Sequence, residues 1–152
     1  MTSVEDWLRD FVQSHGGAAG TVHAVPADDP DRLVLLASVN IPPKVVEITR
    51  VIPKGKGMAG LALERGRPVS TCNLATDETG DVRPGAKAVD ARAAVALPVR
   101  SADGRVRAVV GIAYADERTL SDAQLDTLTE AAAGAGLIAA RHFGTDVRRW
   151  DK

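Results

Sequence analysis

From Ala91 to Tyr114 the chain reads as two strands folded back on each other. Ala91–Val99 alternates, with Val95, Leu97 and Val99 on one face. Ala102-Asp103-Gly104 follows as a turn signal. Val106–Tyr114 is the returning strand. A lone hairpin is marginal in water, so this pair needs further strands or a helix against its apolar face. An antiparallel sheet is the expectation, and the rest of the chain must supply its cover.

Two helical stripes stand ready to do so. Near the start, Thr2 and Glu5 match a capping box, in which each side chain satisfies the other's free backbone N–H. Val4, Trp7, Leu8, Phe11 and Val12 then fall on one helical face, and Gly16 and Gly17 stop the helix. Near the end, Ser121 with Gln124 forms a second capping box. It opens a helix expected to reach about His142, closed by Gly144, with Leu125, Leu128, Ala132, Ala135 and Ala139 in one stripe. Gly134 and Gly136 each weaken that helix by roughly 1 kcal/mol relative to alanine, which makes sense where another element packs very close.

The middle of the chain is more varied. Thr21–Ala27 and Leu33–Val39 read as strands joined by Asp28, Asp29, Pro30 and Asp31, a turn. Leu33–Val39 is nearly all apolar and is expected to be buried on both faces. After a break at Ile41–Pro43, Val45–Ile52 resumes an extended pattern and ends at Pro53. Gly55–Gly66 predicts a short helix with Met58, Leu61, Ala62 and Arg65 on one face. Pro68–Asn73 predicts a strand begun at a proline, where the missing N–H costs least. Leu74–Val89 has no period, and connections of that length are often binding loops.

Composition narrows the function classes. The 152 residues suit one domain, and an apolar fraction of 45% with 26% charged residues argues against a disordered chain. Aromatics make up only 3%, so the core rests on Val, Leu, Ile and Ala, and stacking platforms for bases are not expected. A net charge of -1 gives no pull toward nucleic acid or an anionic membrane. Cys72 is the only cysteine, which excludes an intrachain disulfide and a thiolate-rich metal site. No apolar run reaches the length of about 20 residues that a membrane span needs. Met1–Asp10 carries Glu5, Asp6 and Trp7 in place of a secretory signal. A cytoplasmic protein is expected.

The segment Gly55-Lys56-Gly57-Met58-Ala59-Gly60, continuing to Gly66-Arg67-Pro68-Val69, resembles the signature of the GAF domain family. In that signature a glycine-rich entry and a short helix lead through Gly-Xaa-Pro-Val into a strand. Ala91–Val99, Gly104, Val109–Ala113 and Leu120–Ala132 are similar to the rest of the family, and the resemblance covers about residues 19–142. It implies a single α+β domain over residues 1–152, GAF-like (profilin-like), with an antiparallel sheet of five to six strands. The N-terminal helix (about 3–15) and C-terminal helix (about 121–143) would pack on one face. The short helix and the loop Leu74–Val89 would roof a pocket on the other. The resemblance also implies a dimer formed through the terminal helices, with Trp7, Phe11, Gly134, Leu137 and Ile138 as interface candidates.

The chain departs from the family's specialised members. An aspartate commonly follows the Pro-Val strand, and Asn73 stands there. The residue set of cyclic-nucleotide-binding members is missing. A bilin would need a linking cysteine in or near the roof and aromatic packing, yet Leu74–Val89 has no aromatic. Members that reduce free methionine sulfoxide use several cysteines, and Cys72 alone leaves no resolving thiol.

Other motifs have plainer explanations. Gly55-Xaa-Gly57-Xaa-Xaa-Gly60 matches a dinucleotide fingerprint, but Pro53 precedes it and hairpins follow it, so it lacks the parallel βαβ setting. Asp77, Glu78 and Asp81 lack the spacing of a calcium loop. Cys72 reads as a buried thiol rather than a redox sensor. His15, His23 and His142 show no catalytic spacing. Arginine forks suit carboxylates and phosphates, so Arg83, Lys87 and Arg92 are candidates for an anionic ligand or partner. Asn73, Asp77 and Asp81 complete the candidate ligand set.

The expectation is a signalling or regulatory module that does no chemistry, needs no cofactor or metal, and binds an unknown small molecule as a homodimer. The expectation includes no output domain of its own, so a separate signalling protein would take the signal. A protein-interaction module with a vestigial pocket is the alternative, followed by a thiol-based sensor or reductase working through Cys72.

Overall fold

In a computed structural model, residues 3–26, 29–71, 92–101, 104–116 and 119–134 are described. The expected hairpin is present. Strands β5 (Ala93–Arg100) and β6 (Val106–Tyr114) pair antiparallel from Ala93↔Tyr114 to Arg100↔Val106. Strand β1 (Ala19–Ala24) joins the other side of β6, and β2 (Arg32–Val39) pairs with β1. Short strands β3 (Val51–Pro53) and β4 (Val69–Thr71) close the edges. The order across the six-stranded sheet is β3-β2-β1-β6-β5-β4, with every pairing antiparallel.

Two-residue periodicity sends each strand's side chains to opposite faces. On one face Val95, Leu97, Val110, Ile112 and Tyr114 meet helices α1 (Val4–Ser14) and α4 (Asp122–Ala132). Val4, Leu8, Phe11 and Val12 of α1 are buried there, as are Leu128 and Ala132 of α4. Full burial of a side chain such as Leu8 stabilises the fold by about 1.5–3 kcal/mol. The opposite face is covered by α3 (Gly57–Arg65), whose Ala62 and Leu63 pack on Leu33, Val69, Ala96 and Val109. This is the α+β, two-faced architecture that the resemblance implied.

Ser121 and Gln124 form the expected reciprocal cap on α4. The cap of α1 falls one residue later than expected: Ser3 accepts from the Asp6 N–H at 3.1 Å. Gly16 ends that helix at φ +71° and Gly66 ends α3 at φ +67°, conformations that glycine adopts without a Cβ penalty.

Three expectations change. Val45–Ile52 is not one strand. Pro43–Ile48 forms helix α2, and only Val51–Pro53 is extended. Pro42 and Pro43 supply a pre-set φ at a helix start, and within Pro43–Ile48 only Val45 is buried. The Thr49 hydroxyl donates to the Val45 carbonyl at 2.8 Å and closes the last turn. Leu33–Val39 is buried only in part: Leu33, Ala37 and Val39 are inside and the remaining residues are half-buried. The first strand begins at Ala19 and ends at Ala24, earlier than expected at both ends.

Candidate functional site

The two faces of the sheet differ in side-chain size. On the α3 face, β5 presents Ala94 and Ala96, β6 presents Gly111 and Ala113, and β1 presents Thr21 and His23. Their small side chains leave space on this face, a cavity of about 140 Å³. Val45 and Thr49 of α2 form one wall, and Met58 and Ala59 of α3 form another. Register builds the floor: Gly111 lies between Thr21 on β1 and Ala96 on β5. A Cβ on Gly111 would sit 2.7 Å from the Thr21 Oγ1, closer than non-bonded atoms approach.

His23 is the buried polar side chain among these residues. It is 2% exposed, and its Nε2–H donates to the Thr49 carbonyl at 2.9 Å, tying β1 to the end of α2. Burial pushes its pKa down to about 4, against the opposing pull of the Thr49 bond, so the ring is neutral at physiological pH. A neutral ring that donates from Nε2 leaves Nδ1 as an acceptor. That Nδ1 is buried and has no partner among the described residues. The cavity is therefore lined by an apolar shell, the Thr21 hydroxyl, the Thr49 hydroxyl already bonded to the Val45 carbonyl, and the His23 ring. Among the described residues no cluster of three or more His, Cys, Asp or Glu side chains has the spacing of a metal site.

The sequence pointed elsewhere for the ligand. Asn73, Asp77, Asp81, Arg83 and Lys87 lie outside the described residues, as do Cys72 and His142. Arg92 is described and exposed; its N–H bonds the Tyr114 carbonyl at 2.8 Å, and it does not line the cavity. Of the interface candidates, Phe11 is buried in the core. Trp7 stacks on Phe11 at 5.0 Å between ring centroids, and a Cβ on Gly134 would come within 3.0 Å of the Trp7 Nε1. Trp7 of α1 and Gly134, just past the end of α4, thus lie side by side within one chain. Leu137 and Ile138 lie outside the described residues. The residues missed, Thr21, His23, Ala94, Ala96 and Gly111, left one signal: small residues alternate with the large ones that marked the hairpin's other face.

The glycine motif has a packing role. Gly55 and Gly57 adopt positive φ, and a Cβ on Gly60 would lie 2.5 Å from the Pro53 carbonyl oxygen. Strands β3 and β4, which flank α3, sit at opposite edges of the sheet, so no parallel βαβ unit surrounds the motif.

Known proteins share this architecture. The GAF domain of an Acinetobacter phosphoenolpyruvate-protein phosphotransferase matches with a TM-score of 0.71 and 18% identity, covering 97% of this chain and 89% of that one. The type II free methionine-R-sulfoxide reductase of Thermoplasma acidophilum matches with a TM-score of 0.65 and 14% identity, over 92% of this chain and 97% of that one. The free methionine-R-sulfoxide reductase of Neisseria meningitidis, in complex with its substrate, matches with a TM-score of 0.64 and 20% identity, over 91% and 78%. No curated protein matches significantly by sequence.

These reductases correct the expectation that such a chain does no chemistry. The same fold carries enzymes, so the architecture gives no ground for excluding catalysis; at 14–20% identity the likeness conveys the fold alone. Among the described residues no helix is long and apolar enough to cross a membrane. The fold is that of a ligand-binding or regulatory module in general. A model of the GAF domain matches residues 4–139, nearly the whole chain, and the chain belongs to the GAF domain family.

Proposed function

We propose that this domain senses a small, mainly apolar molecule held between the sheet and helices α2 and α3, and reports it to a separate partner protein. The observation that carries this reading is the cavity of about 140 Å³ floored by Ala94, Ala96, Gly111 and Ala113. An apolar cavity of about 150 Å³ is large enough to take a benzene ring. Its walls include residues of α2 and α3, so an occupant would act on both helices. That action is the signal a partner would read.

Native mass spectrometry of the freshly purified protein, set against its denatured mass, tests the reading. Extra mass lost on denaturation is expected, and Ala96→Leu, which fills the floor, should reduce it. A clean mass, with no thermal stabilisation by any small apolar compound, would overturn it. Free methionine-R-sulfoxide belongs in the same thermal series because the fold serves reductases of that compound. Its zwitterion would lose hydration in an apolar cavity. Strong stabilisation by it, or its turnover, would replace the sensor reading.

A further inference from the structure

A buried acceptor with no partner calls for an explanation, because nearly all buried polar groups in native proteins are paired. His23 Nδ1 is such an atom, on a side chain that lines the cavity. Its other nitrogen is already committed to Thr49. Resting on the cavity reading above, we propose that His23 selects the ligand, accepting a hydrogen bond at Nδ1 from an uncharged, one-ring molecule that carries a single hydroxyl or N–H donor.

Three observations converge on that class. The cavity volume of about 140 Å³ matches one ring. The described lining holds no Lys, Arg, Asp or Glu, so a charged ligand would lose its hydration without a counter-charge there. The ring of His23 is neutral, so Nδ1 accepts and cannot donate. Nδ1 presents almost no surface to water. Reaching it requires the imidazole to tilt about its second side-chain torsion, which is broad in histidine, while Nε2 stays on Thr49. The Thr21 hydroxyl, on the same strand face two residues away, accepts or donates as the occupant requires.

The test uses the full chain labelled with nitrogen-15, titrated with phenol, with toluene and with benzoate. Phenol is expected to bind roughly tenfold more tightly than toluene, the value of one hydrogen bond to a buried acceptor. Benzoate is expected not to bind. The His23 Nδ1 resonance should move with phenol and stay put with toluene, a readout that needs no variant. His23→Leu should equalise phenol and toluene. Equal binding of the two by the native chain, with Nδ1 unmoved, would sink the role of His23 and leave the cavity reading standing. Preference for benzoate, or a response to none of the three, would overturn the ligand class. In that last case the mass measurement decides the cavity reading separately.

Discussion

Acid should destabilise this domain through one side chain. His23 is buried and neutral, with its pKa held near about 4 against 6.5 in a solvated chain. Between those values the unfolded chain binds a proton that the folded chain refuses, so stability falls as pH falls. The contribution of neutral His23 is fully present above pH 6.5 and is lost progressively as the pH drops toward 4. At about 1.4 kcal/mol per pKa unit, the loss is about 2 kcal/mol by pH 5 and about 3 kcal/mol by pH 4. In urea, a loss of about 2 kcal/mol moves the unfolding midpoint by roughly 1 M. The assay is a set of urea titrations between neutral pH and pH 5, run on the native chain and on His23→Gln. The two chains differ at position 23 alone. The native midpoint should fall steeply while the variant's changes much less. An equal fall in both, or a flat native profile, would refute the argument, because burial of an uncharged imidazole then would not govern the acid limb.

Four further outcomes are expected. Gly60→Ala gains about 1 kcal/mol of helix propensity but drives a Cβ against the Pro53 carbonyl oxygen, so a net destabilisation of about 1–2 kcal/mol should appear in urea unfolding. Gly111→Val pushes into Thr21 and the cavity floor; it should cost about 1–3 kcal/mol and abolish any co-purified mass. Ser121→Ala removes the side-chain acceptor of the α4 cap and should lower stability by about 1 kcal/mol, measured by thermal unfolding. Light scattering at micromolar concentration tests the proposed homodimer, and a monomeric mass would retire it.

Part of this fold was legible because its determinants are local. The alternation of Val95, Leu97 and Val99 marks a strand from neighbouring residues alone. Ser121 and Gln124 announce a helix start because a cap spans only one turn. Gly66 marks a helix end because its left-handed backbone is a local requirement. Local signals also misled where two competed. The β-branched Val45, Val46 and Ile48 suggested a strand, but Pro42 and Pro43 start a helix, and packing of Val45 favours it.

By itself, then, the sequence determined the strands and helices around the sheet apart from α2, the caps of α3 and α4, and the family signature running from Gly55 to Val69. Tertiary structure decided where the cavity lies and which residues face it. Thr21 on β1 is far in the chain from Ala96 and Gly111 of the β5–β6 hairpin, and only cross-strand register sets the three side by side. His23 looked like an isolated histidine until β1 and the end of α2 met, giving Nε2 a carbonyl and leaving Nδ1 without a partner. Trp7 and Gly134, more than a hundred residues apart in the chain, come together only in the folded domain. Periodicity assigns a side chain to a face, but what that face meets depends on the packing of elements distant in sequence.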